Sequence, residues 1–159
     1  LNLASDLPQW FKFETPIFTP TTKGIKDEPL NSAKVRETFP EIVTSLEKLF
    51  KDFTKFAQER GIIVVDTKFE IFVNSKGEWV LGDEVLTPES SRFISKEDFD
   101  AKNYISMDKQ ILRDFGKADN WKEKAKELKS GEKLEVNVPQ SIKDKILSGY
   151  TTILNRLSK

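Results

Sequence analysis

The chain has 159 residues, 37% of them hydrophobic and 33% charged, with Lys plus Arg and Asp plus Glu both numbering 26. That is the size and balance of one soluble globular domain, and zero net charge gives no general reason to expect a nucleic-acid partner. The absence of both His and Cys excludes Ser-His and Cys-His triads, disulfides, and imidazole or thiolate metal sites, leaving carboxylates, Lys, Tyr and water. A metal held by carboxylates alone would be a hard cation, and beside phosphates the usual one is Mg2+. No apolar run approaches the ~20 residues that span a bilayer, and no basic-then-apolar leader is visible, so a cytoplasmic location is expected. The chain opens on Leu1 rather than Met, as expected of a processed product or a fragment of a longer polypeptide.

Residues 1–30 carry Pro8, Pro16, Pro20 and Pro29, which restrict the backbone and remove ladder donors; an extended loop with one short strand is expected, pinned by Phe11, Phe13, Ile17 and Phe18. From Ser32 to Arg60 the apolar positions Phe39, Ile42, Val43, Leu46, Leu49, Phe50, Phe53, Phe56 and Ala57 recur every three or four residues, which predicts a long amphipathic helix. Ser32 is placed to cap a first short turn, Pro40 suits the first turn of the main helix, and Gly61 suits a left-handed stop. Next come a strand over Ile62–Val73, a polar turn at Asn74, Ser75, Lys76 and Gly77, and a strand over Trp79–Leu86, together an antiparallel hairpin. Leu86 to Arg92 reads as a loop, and helical spacing returns over Met107–Phe115 and Ile142–Leu157, separated by a Lys-rich stretch, with Pro139 marking the last helix start. The expected fold is α+β, an antiparallel hairpin packed by the long helix and two later helices in a single domain over residues 1–159.

The charges in the strands carry the chemistry. Strand alternation puts Asp66, Lys68 and Glu70 on one face and Thr67, Phe69 and Ile71 on the other. If the four turn residues close symmetrically, Asp83 lies opposite Lys68 and diagonal to Glu70; a one-residue slip would move it to the other face. Such a platform suits Mg2+ held against a phosphate chain, with the lysine neutralising developing charge, although a solvated sheet face of weak ion pairs would read similarly. Arg92 after Ser90 and Ser91 is how a phosphate is often gripped, or else a turn with a surface arginine. Lys109 and Arg113, four apart on a helix, share a face that could bind an anion or pair with Asp108 and Asp114. Lys23 in PIFTPTTKG suits a loop presenting hydroxyls and an ammonium to a carboxylate, and the tyrosines and tryptophans read as packing residues.

Taken together, PIFTPTTK at residues 16–23, RGIIVVDTKFE at 60–70, GDEVLTPESSRF at 82–93, MDKQILRDF at 107–115 and VPQSI at 138–142 resemble the SAICAR synthetase family, in its longer, yeast-like variant. The resemblance implies an ATP-dependent ligase of purine biosynthesis. It would join L-aspartate to the carboxylate of carboxyaminoimidazole ribonucleotide (CAIR) through an acyl phosphate, giving SAICAR, ADP and phosphate. On that resemblance Glu70 and Asp83 match the Mg2+ and ATP-phosphate ligands, and Asp66 and Lys68 match catalytic positions beside the reacting carboxylate. Arg92 and Ser91 match the grip on the ribonucleotide 5′-phosphate, with Lys23, Asp27, Lys109 and Arg113 as further substrate contacts. Phe72 and Lys26 stand where the family usually has Gly and His. The family's N-terminal, ATP-covering lobe has no counterpart among the 159 residues and is expected in another chain or elsewhere in the parent. The chain is then the C-terminal part, expected to be inactive alone. A non-catalytic relative keeping the fold for binding is the alternative, and a different carboxylate-amine ligase is a third reading.

Overall fold

The computed structural model describes residues 6–8, 10–24 and 26–159. In chain order the elements are α1 (Ser32–Thr38), α2 (Pro40–Gln58), β1 (Ile62–Thr67), β2 (Glu70–Val73), β3 (Trp79–Gly82), β4 (Ser91–Ser95), α3 (Lys96–Asp100), α4 (Gln110–Ala118), α5 (Trp121–Lys126) and α6 (Gln140–Leu157). This is an α+β fold with two short antiparallel sheets flanked by helices. The chain divides into two compact units, Leu1–Asp52 and Phe53–Lys159, and α2 runs through the division. Among the described residues no helix is long and apolar enough to cross a membrane.

In the first unit the proline-rich segment closes on itself. Thr21 bridges Pro29, the Thr22 amide donates to Glu28 O at 2.9 Å and Leu30 to Pro20 O at 2.9 Å, which is the single short pairing the prolines permit. The expected pinning by Phe11, Phe13 and Ile17 does not occur: all three are exposed, and Phe11 and Phe13 stack edge-on at 5.1 Å. Phe18 is half-buried under the Arg36 guanidinium. The long helix is two helices. Asn31, not Ser32, caps α1 by accepting from the Lys34 amide at 3.0 Å, and α1 ends at Phe39 because Pro40 disfavours helical backbone in the residue before it. Arg36 then ties α1 to α2 through a two-pronged pair with Glu47 at 2.9 and 2.6 Å.

The second unit is built on β1 and β4. They pair antiparallel, Ile62 opposite Ser95, Ile63 opposite Ile94 and Val64 opposite Phe93. Ile62, Val64, Phe93, Ile94, Ala57, Met107 and Ile153 are buried there, and Phe53 meets the Phe93 ring edge-on. The register shifts between Val64 and Asp66, a β-bulge with Val65 as the extra residue, after which Asp66 faces Arg92 and Thr67 faces Ser91. Gly61 turns the chain into β1 with φ of +72°, and its carbonyl accepts both the Lys96 amide at 2.9 Å and Arg156 Nη1 at 2.6 Å, docking the end of α6. Ser95 caps the short α3, which periodicity did not reveal, and Trp121 in α5 lies edge-on to Phe115. Pro139 precedes α6 as predicted.

The predicted hairpin survives only at its tip, in a shifted register. Ile62–Val73 is not one strand, since β1 pairs with β4 and only β2 pairs with β3. The Asn74 side chain accepts from the Lys76 and Glu78 amides, both at 2.9 Å, so the turn takes in Glu78 and the register moves by one. Val73 therefore faces Trp79 and Glu70 faces Gly82. Asp83 and Leu86 have φ of +59° and +58°, which ends β3 four residues before the predicted Leu86 and leaves Asp83 outside the ladder. The hairpin exposes Phe72, Val73, Trp79, Val80 and Leu81, so Trp79 is no core packing residue.

Candidate functional site

The β1–β4 ladder continues one residue beyond the strands, with the Lys68 amide donating to Ser90 O at 3.0 Å. At this end of the pair a cleft of about 380 Å³ is lined by Asp66, Thr67, Lys68, Ser90, Arg92, Gln110 and Arg113. The bulge decides what reaches it. Paired residues share a face, so Val64 lies with Phe93 toward the core, whereas Asp66, after the extra residue, lies with Arg92 on the other face. Were Val65 paired in regular register instead of bulged, alternation would carry Asp66 round to the side of Ile62 and Val64.

Asp66 takes Arg92 in a fork: Nε donates at 3.0 Å to Oδ1 and 2.9 Å to Oδ2, and Nη2 also donates to Oδ2. This pairing, helped by the charge on Asp108, holds the Arg92 guanidinium above its usual range against partial burial. Lys68 Nζ lies 3.0 Å from Glu70 Oε1, and the Glu70 side chain is only 10% exposed. Ser91 does not line the cleft; it is buried beneath it, its Oγ 2.8 Å from Thr67 Oγ1, bracing the two strands.

Four of the predicted residues, Asp66, Lys68, Arg92 and Arg113, thus meet at one cleft, and Glu70 joins them through Lys68. The others lie elsewhere. Asp83 is exposed just past β3, Lys109 Nζ is committed to Glu89 Oε2 at 2.6 Å, and Lys23 and Asp27 belong to the Thr21–Pro29 loop of the first unit. Among the described residues no three acidic side chains converge to hold a metal. Mg2+ beside a nucleotide needs only one or two carboxylates in addition to phosphate oxygens. Glu70 already faces one cation, Lys68, and offers the hard oxygens such an ion takes.

Sequence reasoning missed the organising role of two acids. Asp108 is 1% exposed and accepts from the Phe93 amide at 2.7 Å, Ser106 Oγ at 2.7 Å and the Gln110 amide at 2.8 Å, so it ties β4 to the start of α4. In the sequence it read only as a charge beside Lys109 and Arg113 in the run over residues 107–115. Glu89 accepts from Lys109 and from the Tyr150 hydroxyl, and these two partners, Lys109 foremost, hold it below the usual glutamate range. Tyr150 is therefore more than packing.

A SAICAR synthetase family model matches residues 2–128. Phosphoribosylaminoimidazole-succinocarboxamide synthase of Pichia angusta is 43% identical over 129 residues, 72% of this chain and 41% of that protein. The enzyme of the same name from Lachnospira eligens is 39% identical over 134 residues, 74% of this chain and 45% of that protein. A solved structure of SAICAR-synthase from Saccharomyces cerevisiae, complexed with SAICAR, is 33% identical with a TM-score of 0.62, covering 93% of this chain and 48% of that one. The chain spans about half the length of the relatives it matches. With the charged cleft in place and the match running through its motifs, the chain belongs to the SAICAR synthetase family.

Proposed function

We propose that this chain forms the ribonucleotide-gripping part of an ATP-dependent ligase site that joins L-aspartate to the CAIR carboxylate, giving SAICAR, ADP and phosphate. The observation that carries this reading is the convergence of Lys68, Arg92 and Arg113 with Asp66, Ser90 and Gln110 on one cleft. Two guanidinium groups and an ammonium suit a ligand bearing both phosphate and carboxylate, as CAIR does. Arg92 and Arg113 bind the phosphate. Asp66 aims the Arg92 fork; ATP phosphorylates the carboxylate, releasing ADP, and Lys68 neutralises the oxyanion that forms on the carbonyl oxygen when the aspartate amine adds to the acyl phosphate, before that oxyanion collapses and phosphate leaves. Glu70 and Asp83 would hold Mg2+, which supplies charge screening for crowded phosphate and carboxylate groups. Because the relatives are about twice as long, the reading includes that this is the C-terminal part of a longer, yeast-like enzyme and binds ligand without turning it over alone.

Titration of the chain with CAIR by calorimetry is the test. Arg92→Ala is expected to weaken binding at least about 30-fold, as for loss of one partner of a hydrogen-bonded charge pair. No binding by the parent chain, or binding untouched by Arg92→Ala, would overturn the assignment. SAICAR formed by this chain from ATP, Mg2+, L-aspartate and CAIR would overturn only the claim that it is incomplete.

A further inference from the structure

The family match ends at residue 128, yet α6 reaches back to the wall of the cleft. Gly149 makes the approach possible. A Cβ there would lie 2.6 Å from the Met107 carbonyl oxygen, closer than real side chains approach, and 3.0 Å from Met107 C. The helix can therefore lie directly on the Met107 backbone, next to the Asp108 that holds β4, and the following residue, Tyr150, is delivered to Glu89.

Glu89 is gripped at both carboxylate oxygens, Oε1 by the Tyr150 hydroxyl and Oε2 by Lys109 Nζ at 2.6 Å. It stands in the middle of a tight turn. The Ser90 and Ser91 amides donate to Thr87 O at 3.2 and 2.9 Å, and the Lys109 amide donates to Pro88 O at 3.1 Å. Out of this turn come Ser90, which lines the cleft and receives the Lys68 amide, and Arg92, which lines it two residues later. Neither Tyr150 nor Glu89 lines the cleft. We infer that Tyr150 is a positioning residue: through Glu89 it fixes the Thr87–Ser91 turn and so sets Ser90 and Arg92 for an anionic ligand it does not touch. Burial, and then the hydrogen bond to Glu89, push the Tyr150 hydroxyl above its usual value, so it stays a donor throughout the neutral range. The inference rests on the cleft being a phosphate-binding site.

The test uses the 159-residue chain with ribose 5-phosphate as probe and ribose as the phosphate-free control. Tyr150→Phe, which keeps the ring, is expected to weaken ribose 5-phosphate binding about 10-fold, the loss of one hydrogen bond to a charged group. Adding Glu89→Gln to Tyr150→Phe is expected to weaken it no further than the worse single variant, because the two side chains act as one unit. Losses that multiply, or Tyr150→Phe binding within twofold of the parent, would overturn the inference. The Arg92 Nε–H resonance, followed by NMR without ligand, separates the two readings. If the parent chain binds no ribose 5-phosphate, the phosphate reading fails. The role of Tyr150 is then decided by that signal, a shift or broadening in Tyr150→Phe upholding it and an unchanged signal ending it.

Discussion

The two antiparallel pairs of the second unit are written in nearly the same alphabet and do opposite things. IIVVDT against SRFIS buries Ile62, Val64, Phe93 and Ile94, while EIFV against WVLG leaves Phe72, Val73, Trp79, Val80 and Leu81 exposed. Composition alone does not separate them. What separates them is the helices and loops the first pair is fastened to: α3 follows it, Arg156 of α6 reaches Gly61, and Asp108 holds the Phe93 amide. The comparison teaches that β-branched and aromatic content marks a strand, and only its neighbours make it core.

Substitutions sharpen the contrast, beginning with the largest expected loss. Phe93→Ala should cost about 3–5 kcal/mol in urea unfolding, since the ring is fully buried and its cavity cannot collapse. Asp108→Ala should cost about 3 kcal/mol, because the buried Phe93 amide and the Gln110 amide lose their acceptor. Gly149→Ala should cost about 1–3 kcal/mol by forcing α6 off the Met107 backbone, and the Tyr150 contact should loosen with it. Trp79→Ala should cost under about 1 kcal/mol, the side chain being 51% exposed; a cost equal to that of Phe93→Ala would make the hairpin a second core and break the comparison.

The smallest effect is one of pH. Lys109 and Tyr150 hold Glu89 below the ordinary glutamate value of 4.5, and its own backbone amide and Arg156 do the same for Glu97. A folded value below the unfolded one gives stability that is present above pH 4.5 and is lost as pH falls through the folded value. Unfolding midpoints should therefore drop as the pH is taken below about 4, and Glu89→Gln should flatten part of that slope.

Much of this was legible. The helical periodicity of Ile42, Leu46, Leu49 and Phe53 gave α2, and Pro40 and Gly61 gave its ends, because those signals act within one turn of the chain. Asp66 and Lys68 were recognisable from charge placed among apolar strand residues, Arg92 from the serines before it and Arg113 only as a helix-borne cation beside Lys109, so their meeting in one cleft was not. Partnership was not legible. Nothing local to Ile62–Thr67 says that it pairs with Ser91–Ser95 rather than with Trp79–Gly82, and a single extra acceptor, the Asn74 side chain, was enough to shift the hairpin by one. Tyr150, read as packing, and Asp108, read as a partner for Lys109 and Arg113, were misjudged for the same reason, as their meaning lies in what they meet 61 and 15 residues away.

The extra residue in β1 makes pairing, rather than chain length, the functional quantity. Val65 has no partner across the ladder, so a library of substitutions there would score it as replaceable. Deleting it is a different operation. The ladder would become regular, with the carboxylate directly after Val64, still opposite Arg92 and still on the face away from the core. Pairing Val65 with Arg92 would instead hand Asp66 to the side of Ile62 and Val64, so what this strand preserves is the slip in its register.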